Sequence, residues 1–276
     1  RNAKLQEQSG IDPNSSPASW DDLLADCETA VRVGDGKWHG YAMMGTKGWT
    51  IAGLLQCAVY LSQLEADLCK DDCTYPYFDN PKAEEFWSFY RKLQTYTPPG
   101  MTFNPDQGVH YSAIWQDKVT YACDGSWNAR TVDKPESQHI KFAPFPIPKG
   151  GRQSSVVVAS VLQGALSSSK HKEEAIAYCK MFTEDQFQEM IYHIDRLPST
   201  KSVLRKLFDS ATDAEKVFMD ILLNQDAGIL PQWRTESQKL WEICNNMFEK
   251  IISTDVPVRD LMKAAQAEAD AVLTPG

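Results

Sequence analysis

The chain has 276 residues, 42% of them hydrophobic and 24% charged. That length allows one large or two smaller cored domains, and the balance is that of a folded protein and not of a disordered one. The formal net charge is −9 without any Lys/Arg cluster, which argues against nucleic acid and anionic membrane surfaces as partners. The longest apolar run, 156–162, is short and interrupted by Ser160, so no bilayer span is expected.

In chain order, residues 1–18 open with a small amphipathic piece and continue as a loop rich in Pro, Ser and Asn. Ser19-Trp20-Asp21-Asp22 is a capping box with acid in the first turn, where the helix dipole favours it. Trp20, Leu23, Leu24, Cys27 and Val31 then repeat at helical spacing as far as Gly34. Residues 41–44 read as a strand. Gly45-Thr46-Lys47-Gly48-Trp49 comes next, a glycine-bracketed loop with a Trp at a strand end, leading into an apolar helix over 51–64. Residues 65–80 are an irregular acidic connection. Asn80-Pro81 starts the next helix with Pro in its first turn, and Phe86, Phe89, Tyr90 and Leu93 form its apolar side.

A short helical piece over 109–115 precedes a strand at 119–123, and 140–145 and 156–162 read as further strands. From Lys170 the pattern turns wholly helical, with helices predicted at 170–182, 184–193, 199–208, 213–225, 233–252 and 257–272 and no strand among them. The fold class is therefore α/β, with a helical C-terminal half.

The strand 119–123 runs into Asp124-Gly125-Ser126-Trp127-Asn128. A strand that meets a helix start through a glycine exposes backbone N–H groups at the carboxyl edge of a sheet, the place where open α/β folds bind ligands. Ser126 is expected to cap the helix that begins there. Trp127 is a flat apolar ring flanked by the polar Asp124 and Asn128, a combination suited to a ligand with an apolar face and a polar rim, such as a sugar. The plainer alternative is a core aromatic at a helix start.

Other chemistry lacks support. The sequence contains no phosphate loop, dinucleotide fingerprint, nucleophile elbow or H-E-x-x-H. Its five histidines have no ligand spacing, so no catalytic residue, metal or cofactor is expected. Acidic pairs such as Glu84/Glu85 and Glu173/Glu174 fall on helix starts or polar faces. Seven cysteines leave at least one thiol without an intrachain partner. Cys69 and Cys73 stand in a polar loop where an oxidising compartment would let them bridge; Cys27, Cys57, Cys123, Cys179 and Cys244 sit among apolar residues and read as small buried hydrophobes.

Three blocks in order resemble the extracellular solute-binding proteins of ABC sugar importers, the maltose-binding-protein-like family 1. They are Gly10-Ile11-Asp12-Pro13 with Pro17-Ala18-Ser19-Trp20-Asp21-Asp22-Leu23, then Trp115 to Val119 with Asp124-Gly125-Ser126-Trp127, then Ser169-Lys170 and Glu174-Ala175 to Leu197-Pro198-Ser199. The resemblance implies a periplasmic-binding-protein type II-like lobe, a mixed sheet flanked by helices, followed by the helical half. It assigns 1–158 to the α/β ligand-binding lobe. Residues 159–208 would be a helical return belonging to the other, mostly missing lobe, and 209–276 helices packing back on the first. The family's N-terminal part would precede Arg1. The apolar faces of 165–205, with Ile176, Phe182, Phe187, Met190 and Ile191, would then have no sheet in this chain to cover them.

The resemblance places Trp127 where a sugar ring stacks, with Gly125 and Ser126 shaping the loop. Trp49 would supply another cleft aromatic, and Trp241, with Trp233 near it, would match the family's late helical tryptophan; core packing with Leu240, Ile243 and Met247 is the alternative for Trp241. Where relatives carry a glycine pair, this chain has Ala159-Ser160-Val161, so a contact from Ser160 departs from the pattern. The ligand-binding set is thus Trp49, Asp124, Gly125, Ser126, Trp127, Asn128, Ser160, Trp233 and Trp241. The implied partners are a carbohydrate and the membrane permease of an ABC importer, for a protein that is monomeric when complete and extracytoplasmic, in the periplasm or lipid-anchored at the cell surface. Two other readings use the same cleft: a glycan-active enzyme with acids such as Asp124, and a polyamine binder pairing Asp124 with ammonium groups.

Overall fold

The computed structural model describes residues 1–44, 50–70, 73–104, 106–152, 155–156, 164–194, 196–224, 227–228 and 235–273. The chain opens with helix α1 (Ala3–Gln8), capped by the Asn2 side chain, and α2 (Trp20–Gly34). The capping box holds as expected: Asp22 N–H donates to Ser19 Oγ at 3.1 Å, and Ser19 N–H donates to Asp22 Oδ2 at 2.9 Å. Strand β1 (His39–Ala42), helix α3 (Thr50–Gln63), the short strands β2 (Cys69–Lys70) and β3 (Tyr75–Pro76), and α4 (Pro81–Gln94) come next. Asn80 caps α4, accepting from Lys82 N–H, with Pro81 in the first turn. Then come α5 (Gln107–Trp115), β4 (Val119–Ala122) and a 3-10 helix, Ser126–Asp133.

The C-terminal half holds β5 (Ser155–Val156), α6 (Lys172–Met181), α7 (Asp185–His193), α8 (Lys201–Leu207), α9 (Asp213–Asn224), β6 (Ala227–Gly228), α10 (Ser237–Ser253) and α11 (Val258–Leu273). Among the described residues the strands form three pairs. β1 lies parallel to β4 in the register His39 to Val119 and Tyr41 to Tyr121; β2 and β3 are antiparallel; β5 and β6 are parallel. This mostly helical α/β arrangement places the carboxyl ends of β1 and β4 side by side. β1 also lies close on α2. A Cβ added at Gly40 would come within 2.6 Å of the Cys27 Cβ, so only glycine allows that approach.

The main core is aromatic. Trp20 stacks on Phe89 at 4.3 Å, with Tyr60, Phe86 and Tyr90 around it and Phe248 of α10 against Tyr90 at 5.4 Å. α10 and α11 pack on α4, so the last two helices share the core of the first half. Gln63 holds this layer to the loop before β5, accepting from the Trp20 indole at 3.0 Å and donating to Pro146 O at 2.9 Å. A second cluster, with Ala42, Met101, Ala113, Ile114, Val119 and Ile140, lies under α5 and β4. A third, made of Tyr192, Leu204, Ala211 and Met219, belongs to α7, α8, α9 and the segment between.

Several expectations are corrected. Residues 140–145 are not a strand: Ile140 makes one isolated bridge, to Asn2, and the rest runs without a ladder. Pro144, Pro146 and Pro148 have no N–H to donate. The helical half does contain a strand, since Ala227–Gly228 pairs with β5. Of the strand expected at 156–162, only Val156 lies among the described residues. Cys69 and Cys73 are disulfide-bonded, beside the β2–β3 pair that crosses the connection read as irregular. Cys27, Cys57 and Cys244 are buried, whereas Cys123 and Cys179 are only half-buried.

Candidate ligand-binding site

β4 ends at Ala122, and the chain turns through Cys123, Asp124 and Gly125 into the 3-10 helix. Ser126 is the first residue of that helix and not its cap. Gly125 stands in the cap position and no side-chain cap bond forms. The turn is organised by Asp124 instead. Its Oδ1 accepts Gly125 N–H at 2.7 Å, and its two oxygens accept from Asn128 Nδ2 at 3.0 and 2.9 Å. The Trp115 side chain also favours the ionised form of the Asp124 carboxylate. Burial pushes this carboxyl above its ordinary range, and Gly125, Asn128 and Trp115 pull the other way.

Asn128 is thereby fixed in orientation: with its NH₂ on Asp124, its carbonyl oxygen faces away from the carboxylate. The Trp127 ring folds back over Gly125, where an added Cβ would sit 2.3 Å from the ring's Cη2 and Cζ3. Glycine is required by space here. The far edge of the ring meets Tyr111 nearly at right angles, with centroids 6.0 Å apart. Burial, with Cys123 and Asp124 adding like charge, pushes the Tyr111 hydroxyl up to about 12. Tyr111, Trp115, Asp124, Trp127 and Asn128 are all half-buried. The result is a corner in which the Trp127 and Tyr111 rings meet beside one oriented amide at the carboxyl end of a parallel strand.

Five of the predicted residues, Asp124, Gly125, Ser126, Trp127 and Asn128, form this corner. Trp241 sits on α10, half-buried against the main core. Trp49, Ser160 and Trp233 lie outside the described residues. Tyr111 and Trp115 were not foreseen. Their signal was the four-residue spacing of two aromatics on the helix before β4, which puts both on one face. Among the described residues no group of three or more His, Cys, Asp or Glu is placed to hold a metal ion, and no helix is long and apolar enough to cross a membrane.

Fold and corner together set a flat ring beside hydrogen-bonding groups at the carboxyl ends of parallel strands. The chain matches the bacterial extracellular solute-binding proteins over residues 1–189 and belongs to that family. No curated protein sequence matches it. Solved structures similar throughout include the sugar-binding protein MalE from the phytopathogen Xanthomonas citri, with TM-score 0.77 and 17% identity over 99% of this chain and 67% of that one. The cyclic alpha-maltosyl-1,6-maltose binding protein from Arthrobacter globiformis has TM-score 0.74 and 20% identity, covering 100% of this chain and 69% of its own. An ABC transporter solute-binding protein from Thermotoga lettingae TMO, bound with alpha-D-tagatose, gives 0.72 and 19%, over 99% and 69%. At these identities the likeness is one of fold: type II periplasmic binding proteins. The chain spans about two thirds of each of them, 67% to 69%.

Proposed function

We propose that the protein is the substrate-binding component of an ABC importer and takes a sugar or oligosaccharide against Trp127. The observation that carries this is the Asp124-centred corner. Trp127 and Tyr111 offer ring faces and edges to C–H surfaces, while Asp124 locks Asn128 so that its carbonyl is available to a hydroxyl. Structural relatives solved with maltose or tagatose bound support the ligand class. Both other uses of the cleft put Asp124 in direct contact with the substrate. Here its oxygens are already engaged by Gly125 and Asn128, so it acts as an organiser, and the protein binds without turnover.

On this reading 1–158 is the ligand-binding lobe, 159–208 the helical return through the other lobe, and 209–276 the helices that come back. On the same reading Trp49, Ser160, Trp233 and Trp241 belong to the ligand-binding set. The protein is a monomer outside the cytoplasm, in the periplasm or on a lipid anchor, and delivers sugar to a membrane permease. The Cys69–Cys73 bridge fits that oxidising location. Calorimetry against mono- and oligosaccharides, with assay of the same mixtures for new reducing ends, tests the function. Saturable heat without new reducing ends is expected; released sugar, or no heat with any of them, would refute it.

A further inference from the structure

The third cluster, Tyr192, Leu204, Ala211 and Met219, is a small core separate from the aromatic one. The chain leaves and re-enters this helical part through segments carrying β5 and β6, which lie side by side in parallel. Beyond that pair, the main contact across the two parts is α9 against the 3-10 helix Ser126–Asp133, the helix whose first turn carries Trp127 and Asn128.

One buried acid dominates that contact. Glu215 of α9 is 3% exposed, and Arg130 Nε donates to its Oε1 at 2.7 Å. Its Oε2 accepts from the Tyr192 hydroxyl at 3.1 Å and from Thr212 N–H at 2.9 Å. The Arg130 guanidinium carbon lies 4.4 Å from the centre of the Tyr192 ring, and Phe142 meets Phe218 of α9 beside it at 5.1 Å. Tyr192 and Thr212 come from the helical part itself, so Arg130 is the partner that reaches Glu215 from the other core. A carboxylate this buried depends on a matched charge, and losing one partner of such a pair costs far more than losing a surface ion pair. Burial acts against the charge on each group, yet the Thr212 N–H and then Arg130 hold Glu215 below its ordinary range, and Glu215, with Tyr192, holds Arg130 above its own.

We propose that Arg130 is a positioning residue whose ion pair with Glu215, stacked on Tyr192, latches the Trp127-bearing helix to α9, so that ligand leaves only when the pair parts. Trp127 lies three residues before Arg130 on one short helix, so the pair anchors the helix that carries the ring. The inference rests on the sugar-binding reading of Trp127 for its consequence, and on Arg130, Glu215 and Tyr192 for its geometry.

Arg130→Gln and Glu215→Gln, singly and together, test it in two measurements. Stopped-flow release of bound maltotriose is expected to speed up by about tenfold or more in each single variant, a change of about 1.4 kcal/mol. The association rate should change much less, and the double variant should be no faster than the worse single one. Hydrogen exchange of the ligand-free protein should rise across 126–133 and 213–224 while α10 and α11 keep their protection. Unchanged release and exchange would overturn the latch. So would a lower melting temperature with unchanged release, the mark of a merely structural pair. If wild-type protein binds no maltotriose or other sugar, the sugar reading fails while exchange still decides: a rise confined to those two segments supports the latch, and no rise overturns it.

Discussion

At the residue scale, Asp124 is the pivot, since one carboxylate both orients Asn128 and closes the Gly125 turn. Its raised range has a sign. Between its ordinary pKa and the raised one, the folded protein holds more protons than the unfolded chain, so rising pH through that window removes stability. Binding runs the other way, because the ionised form is the one that accepts both Asn128 bonds. Sugar affinity is therefore expected to fall in acid, with a midpoint above that of an ordinary carboxylate, and Asp124→Asn should flatten the profile; calorimetry across the acid range checks both. Gly125→Ala is a sharper probe, since its methyl would stand 2.3 Å from the Trp127 ring. We expect the ring to be displaced and affinity to drop by about tenfold or more, with little change in unfolding midpoint and a changed near-UV dichroism. An unaltered affinity would mean that the ring does not bear on ligand.

At the element scale, helix starts carry their signals in a few adjacent residues, and these were readable. Ser19 and Asp22 form the box that their spacing announces, and Asn80-Pro81 opens α4 as expected. Ser19→Ala should cost about 1 kcal/mol in urea unfolding and leave sugar affinity alone, because α2 faces the main core. The strand end at Asp124-Gly125 was likewise legible, as a glycine between apolar alternation and polar residues. What escaped depended on the path of the chain. Trp115 acts on Asp124 only because α5 turns straight back into β4, with Asp117 in the left-handed region at φ 56° and Lys118 N–H bonded to Ala113 O at 2.8 Å. Alternation at 140–145 suggested a strand, but the prolines and the packing of Phe142 on Phe218 prevent a ladder. Glu215 lies 85 residues from Arg130, and no local pattern could pair them.

At the scale of the whole molecule, residues 166–194 carry more apolar surface than this chain covers. Leu166 is 74% exposed, Ile176 46%, Tyr178 55%, Met190 50% and Ile194 68%, and α6 buries none of its residues. Of the residues expected from the resemblance to lie uncovered, Ile176 and Met190 are exposed, whereas Phe182, Phe187 and Ile191 are half-buried, Phe182 against Phe187. The 276-residue chain is expected to bind the dye ANS here. Ile176→Ser with Ile194→Ser should lower that fluorescence without changing sugar affinity, and undiminished fluorescence would place the dye elsewhere.

The most direct measurement is the dissociation constant of an oligosaccharide for wild-type protein and for Trp127→Ala, by calorimetry at neutral pH. Loss of the ring's buried area and stacking predicts a weakening of at least about tenfold, with the fold intact by circular dichroism. Equal affinities in the two proteins would contradict a carbohydrate site built on Trp127.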